Sequence, residues 1–222
     1  MKFLTTTVFV LAALSASYAN ADESYLNTKF GALAVSEEKL LHFNGKPVTP
    51  GILGNASLHI YKSFDLGGKV VVITQNIGGT ACPELLNFIT IDKSGAKSSP
   101  TFGTCSDYKI IKIINNSIIV NFDNDLGRHN YVYADSVLTD NGKIVPDAFN
   151  TQPFSISAVI NDPDGYTNVR QAANVKSKII SRISNGDLFN THPQNSEWWQ
   201  VRLNATTTGY MHKSRILMLR DF

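Results

Sequence analysis

Short β-branched runs, each ended by Gly, Asn, Asp or Pro, follow one another along this chain and leave little room for anything but strands. Residues 56–64 (ASLHIYKSF) alternate, with Leu58, Ile60 and Phe64 on related faces, and 69–74 (KVVVIT) form a short run of the buried type. Residues 86–91, 108–114, 117–122 and 131–133 continue the pattern. Asn115-Asn116, between two Ile-rich runs, reads as a two-residue hairpin turn, and Asp140-Asn141-Gly142 as another turn. Only 36–41 (SEEKLL) has a helical flavour, and it spans about one turn. The expected class is all-β.

The first residues have a different character. Lys2 precedes an apolar run from Val8 to Leu14, then Ala19-Asn20-Ala21 and the acidic pair Asp22-Glu23. One positive charge, a short apolar stretch and a small-x-small site describe a secretory signal peptide, cleaved after Ala21 or Ala19. The run is too short and too rich in Thr and Ser for a membrane span, which needs about 20 apolar residues. No cysteine lies near the site to carry a lipid anchor. The expectation is a periplasmic or secreted protein with no membrane span.

Residues 22–155 carry 11 basic and 13 acidic side chains, and 156–222 carry 8 and 5. That surplus falls far short of the basic stripe that nucleic acid requires, but it suits a weakly anionic ligand for the C-terminal part.

Cys82 and Cys105 are the only cysteines. In an oxidising compartment such a pair points to a disulfide, worth roughly 3 kcal/mol for a loop of this size. Each follows a Gly-containing, loop-like segment (GGTAC and FGTC), as two loops stapled together would. The rival reading is a catalytic thiol. Residues 146–153 (PDAFNTQP) are polar, proline-bracketed and without periodicity, the pattern of a linker. The division read from the sequence is a signal peptide over 1–21, a β-rich domain over 22–145, a linker over 146–155 and a C-terminal domain over 156–222.

The C-terminal part carries the densest set of motifs. In order they are Asn168-Val169-Arg170, Ser177 before Ile179-Ile180, Asn185-Gly186, Trp198-Trp199-Gln200-Val201 and Gly209-Tyr210-Met211. In order and spacing this stretch resembles the bacterial SH3-like (SH3b) family. Two features depart from it. Ala173 stands where the family often has Pro, and residues 204–208 (NATTT) replace a Gly-rich turn. The resemblance implies a small SH3-like β-barrel after a disulfide-stapled antiparallel β domain. Alternation puts Trp199, Val201 and Leu203 on the core face and Trp198, Gln200 and Arg202 on the other. SH3-like domains use an outward aromatic here to line a peptide groove. The resemblance therefore assigns ligand binding to Trp198, with His212, Lys213 and Arg215 nearby and Tyr166 and Tyr210 at the edge. An aromatic, cationic groove of that kind prefers a carboxylate, as on a peptidoglycan stem peptide or an acidic protein segment. Trp198 packed against the N-terminal domain is the bland alternative.

The sequence carries no complete catalytic pattern. Cys82 with His129 is the one thiol arrangement in the right order, but no helix follows to activate the thiol. A G-x-S-x-G elbow is missing, and the five histidines stand apart with no H-x-H or H-E-x-x-H. Asp123-Asn124-Asp125-Leu126-Gly127 has the opening of a calcium loop without its distal Glu. The sequence predicts no cofactor, no metal and no enzymatic activity. It favours an envelope binding protein with a peptidoglycan peptide or another envelope protein as partner, then a periplasmic immunity or inhibitor protein acting through its N-terminal domain, then an unfamiliar enzyme.

Overall fold

At Asn115 and Asn116 the backbone takes φ values of 48° and 60°, the left-handed region that a tight two-residue hairpin needs and asparagine tolerates. Asn141 and Gly142 repeat the device at 49° and 80°. Both turns stand where the sequence signals them. A computed structural model describes residues 23–78, 84–104, 109–124, 127–150 and 152–220. Among these the regular structure is antiparallel β-sheet and one 3-10 turn, so the chain is all-β. The segment with helical flavour forms turns instead, with Lys39 at a φ of 61°.

The N-terminal part stacks three sheets. The first comprises β1 (Tyr25–Thr28), β2 (Gly31–Val35), β3 (Leu41–Phe43) and β4 (Lys46–Pro47). The second comprises β5 (Ser57–Leu66), β6 (Lys69–Ile77), β7 (Glu84–Asp92) and β8 (Gly95–Ser98). The third comprises β9 (Lys109–Ile114), β10 (Ser117–Asn124), β11 (Gly127–Ala134), β12 (Val137–Asp140) and β13 (Lys143–Ile144). Both faces of the middle sheet are covered. Val70 and Val72 of β6 enter one apolar cluster with Leu33, Leu41 and Ile52, while Val71 and Ile73 enter another with Ile118, Val120 and Phe122. The continuous KVVVI run exists because no face of that strand meets water.

Two residue pairs tie β7 of the middle sheet to its surroundings. Leu86 and Phe102 exchange backbone hydrogen bonds of 2.7 and 2.9 Å, and Lys109 pairs with Glu84 with each side chain only 4% exposed. Cys82 and Cys105, expected to form the disulfide, lie outside the described residues, in the segments that these pairs flank.

The C-terminal part is one seven-stranded antiparallel sheet: β14 (Ile156–Ile160), β15 (Tyr166–Arg170), β16 (Ile179–Ser184), β17 (Phe189–His192), β18 (Trp198–Arg202), β19 (Thr208–His212) and β20 (Ile216–Met218). Its hydrogen-bonding order is β16-β15-β19-β18-β17-β14-β20. Every strand sends a side chain to one cluster, from Ala158 and Ile160 through Val169, Ile183, Phe189, Val201 and Met211 to Ile216. A flat sheet cannot do this, so the sheet curls around its core. The strands expected to form an SH3-like β-barrel pair as an open series, with edges at β16 and β20.

The two parts are joined at the C-terminal end. Leu219 bridges Gly51 in parallel, and Leu217 and Leu219 pack with Leu40, Leu53 and Val159. Arg220 is buried, its guanidinium donating to the Ser98 carbonyl at 2.9 Å and pairing with Asp147. Residues 146–155 contain no strand among their described positions, yet they are tied down. Asp147 takes Arg220, Phe149 lies beneath the same guanidinium, and Phe154 packs on the C-terminal sheet.

Candidate functional site

Alternation along β18 divides its side chains between two faces. Val201 is fully buried and Leu203 packs on the same core, whereas Trp198, Gln200 and Arg202 share the opposite face. Trp199, placed by alternation with the core set, is only half-buried. It lies opposite the buried Met211 at the strand's end and donates its indole N–H to the Gln194 carbonyl at 3.0 Å. The core contribution of this strand rests on Val201 and Leu203.

Across the outer face, register builds a continuous row. Arg170 of β15 stands opposite Tyr210 of β19, Tyr210 opposite Gln200 of β18, and Gln200 opposite His192 of β17. The Gln200 amide donates to the Tyr210 hydroxyl at 3.2 Å, which fixes the middle of the row. Trp198 flanks one side, half-buried and meeting His212 edge to face with ring centroids 5.5 Å apart. On the other side Arg202 lies 4.8 Å from the Phe154 ring centroid and donates to the Phe154 carbonyl at 3.3 Å. Phe154 also tilts against His192 at 6.1 Å. Trp198 and Arg202 are separated by about 13 Å of extended strand. The result is a polar floor between two aromatic ends.

The expected residues fall into two groups. Trp198, Tyr210 and His212 come together on this face. Tyr166 is on the same face of β15 but further along, 40% exposed, with the Arg182 guanidinium 4.2 Å from its ring centroid. Arg215 belongs to the 3-10 turn Lys213–Arg215 and pairs with Asp162 at 2.8 Å.

Electrostatically the face differs from the sequence expectation. Lys213 pairs with Glu197 at 2.7 Å, and His212 lies 3.6 Å from the same carboxylate. The hydrogen-bonded Lys213 ammonium holds the Glu197 carboxyl below the usual range, with a smaller pull from His212. Each cation expected to attract a carboxylate thus has an acid of its own. Among the described residues no acid pairs with Arg170 or Arg202, which donate to the carbonyls of Ser177 and Phe154. These two arginines carry the positive character of the face. Arg170 closes the N-V-R motif and Arg202 shares Trp198's alternation, so both were visible in the sequence. Phe154 was not, because its role depends on a tertiary contact.

The sites weighed for chemistry stand apart from this face. His129 hydrogen-bonds through Nδ1 to Asp140 at 2.8 Å and stacks on Tyr131, whose phenol is pushed above its ordinary value by burial and then by Asp140. Cys82, weighed as its partner, lies outside the described residues. Asp123 pairs with Arg128, and two other positions of the calcium-like loop, Asp125 and Leu126, are also outside them. Among the described residues no three His, Cys, Asp or Glu side chains come together as a metal site. No helix there is long and apolar enough to cross a membrane.

Residues 165–216 match the family model of the bacterial SH3 domain, a segment that contains Tyr166, Trp198, Tyr210, His212 and Arg215. No curated protein and no solved structure matches the chain. The C-terminal part of this protein is therefore a bacterial SH3 domain, a family of binding modules.

Proposed function

We propose that the protein is an exported, non-enzymatic binding protein of the bacterial envelope, and that the outer face of its SH3 domain recognises a peptide bearing a carboxylate. The observation that carries this reading is the half-buried Trp198 at one end of a strip whose other end holds Arg202. An indole offers a large apolar surface at little conformational cost, and a guanidinium without an acidic partner suits a carboxylate in a two-pronged hydrogen bond. Arg170 lies across the Tyr210–Gln200 floor as a second such group. A peptidoglycan stem peptide and an acidic protein segment share this chemistry. Export rests on the signal peptide read over residues 1–21, and the disulfide expected from the sequence between Cys82 and Cys105 would suit the same compartment. The test is co-sedimentation of the purified protein with peptidoglycan sacculi, competed by soluble stem peptide. Retention that the peptide abolishes supports the reading, and retention no greater than that of an unrelated protein refutes it.

A second reading, a periplasmic immunity or inhibitor protein, has one observation in its favour. The N-terminal part exposes Ile110, Ile113 and Ile114 on β9, an edge strand, with Val137 and Ile144 also exposed in the same sheet. Exposed apolar residues on an open edge suit a protein partner. A toxin or wall hydrolase bound by the full chain, with affinity lost on Ile113→Lys, would favour it over the first.

A further inference from the structure

A cavity of about 290 Å3 lies where the N-terminal part meets the SH3 domain. Its floor is aliphatic, formed by the buried Leu40, Leu53 and Val159 of the seam between the two parts. Its rim is charged. Glu38 and Lys46 enter from the N-terminal side and Asp162 from the C-terminal side. Asp162 is already committed, since it pairs with Arg215 and accepts from the Thr167 hydroxyl at 2.6 Å. Glu38 and Lys46 are not. Among the described residues no cation pairs with Glu38 and no acid with Lys46, and the two do not pair with each other. The Ser36 hydroxyl hydrogen-bonds to Glu38 and holds its carboxyl below the usual range, with a smaller pull from His42. His42 approaches the Leu40 carbonyl with Nδ1 at 2.9 Å. A carbonyl can only accept, so Nδ1 is the donor in this contact.

The cavity thus offers one unpaired anion, one unpaired cation and an apolar floor. A ligand that satisfies all three carries both charges and an aliphatic side chain. Ligand pockets usually run from roughly 300 Å3 upward, so the guest is small. We propose that this junction cavity binds a free amino acid or dipeptide with an aliphatic side chain, its ammonium on Glu38 and its carboxylate on Lys46. The site does not involve Trp198 and stands or falls apart from the peptide-binding face.

Titrating the isotope-labelled full chain with unblocked alanyl-leucine tests this directly by NMR. Saturable shifts are expected at Gly45 and Gly186, which line the cavity. Acetylating the amine or amidating the carboxyl of the dipeptide should weaken binding about tenfold, the worth of one charge-assisted hydrogen bond. Glu38→Gln and Lys46→Gln should each do the same, and Trp198→Ala should leave the affinity unchanged. The proposal is overturned by the absence of saturable shifts at these glycines, by blocked dipeptides binding as tightly as the free one, or by Glu38→Gln and Lys46→Gln retaining full affinity.

Discussion

Gly209 of β19 lies so close to Val169 of β15 that a Cβ built on it would stand 2.6 Å from Val169 Cγ1 and 2.8 Å from the Arg170 carbonyl oxygen. The glycine of the Gly-Tyr-Met motif is therefore a packing requirement: any side chain there pushes β19 off β15. That shift would also separate Tyr210 from Arg170, its partner across the row. Gly209→Ala should destabilise the protein by about 1–3 kcal/mol, as overpacking does, measured by urea denaturation. An unchanged midpoint would show that the strands can part without cost.

Lys109 and Glu84 form a buried ion pair between the third sheet and the second. Replacing only the cation takes the Lys109 charge away from a carboxylate that is 4% exposed. Lys109→Met should cost about 3–5 kcal/mol, and adding Glu84→Leu should recover part of that loss. The comparison of single and double variants by thermal unfolding is the check. Equal stability of the two would mean that Glu84 is satisfied by its other contacts.

At the C-terminal end, Arg220 is the polar tie between the two parts. Arg220→Ala removes the donor from the Ser98 carbonyl and one of the two cationic partners of Asp147, which keeps Lys97 at 3.4 Å. Because Asp147 is 43% exposed, solvent offsets much of the ionic loss. The expected cost is about 1–3 kcal/mol. The expected signature is earlier hydrogen exchange at Gly51, whose amide is bonded to Met218. No change there would assign the docking to the apolar seam alone.

The fold was legible wherever a strand reports its own burial. KVVVIT announced a strand covered on both faces, and Asn115-Asn116 announced a hairpin, because period and turn chemistry are local. Trp198 was placed on the outer face by the same parity rule, and the motifs from Asn168 to Met211 identified the SH3 domain. Trp199 shows the limit of that rule. Parity aimed it at the core, but its place at the strand end leaves it half-buried. Arg215 and Lys213 looked like free cations because ion pairing with Asp162 and Glu197 depends on how turns meet in space. Phe154, at a φ of 57°, was read as part of a linker and packs against Arg202 and His192 instead.

Glu197 restrains the positive charge beside Trp198, and its pKa gives that restraint a pH dependence. Its folded pKa is depressed, so the Lys213–Glu197 contact is present above the ordinary value of 4.5 and is lost as pH falls through the folded pKa. Acidification into that range releases Lys213 and His212. Glu197→Gln should produce the released state at neutral pH and tighten binding of an acidic peptide severalfold, with the gain fading at high salt. Fluorescence anisotropy of a labelled acidic peptide measures it. Weaker binding by the variant would place Glu197 among the ligand's own contacts.

The most direct measurement is the affinity of a soluble stem peptide for the full chain and for Trp198→Ala, by calorimetry at one salt concentration. Loss of a buried aromatic anchor typically costs about 2 kcal/mol or more, so the variant should bind at least about tenfold more weakly while its unfolding midpoint stays close to that of the parent. A folded Trp198→Ala protein that binds the peptide as tightly as the parent would contradict the assignment of this face as the ligand site.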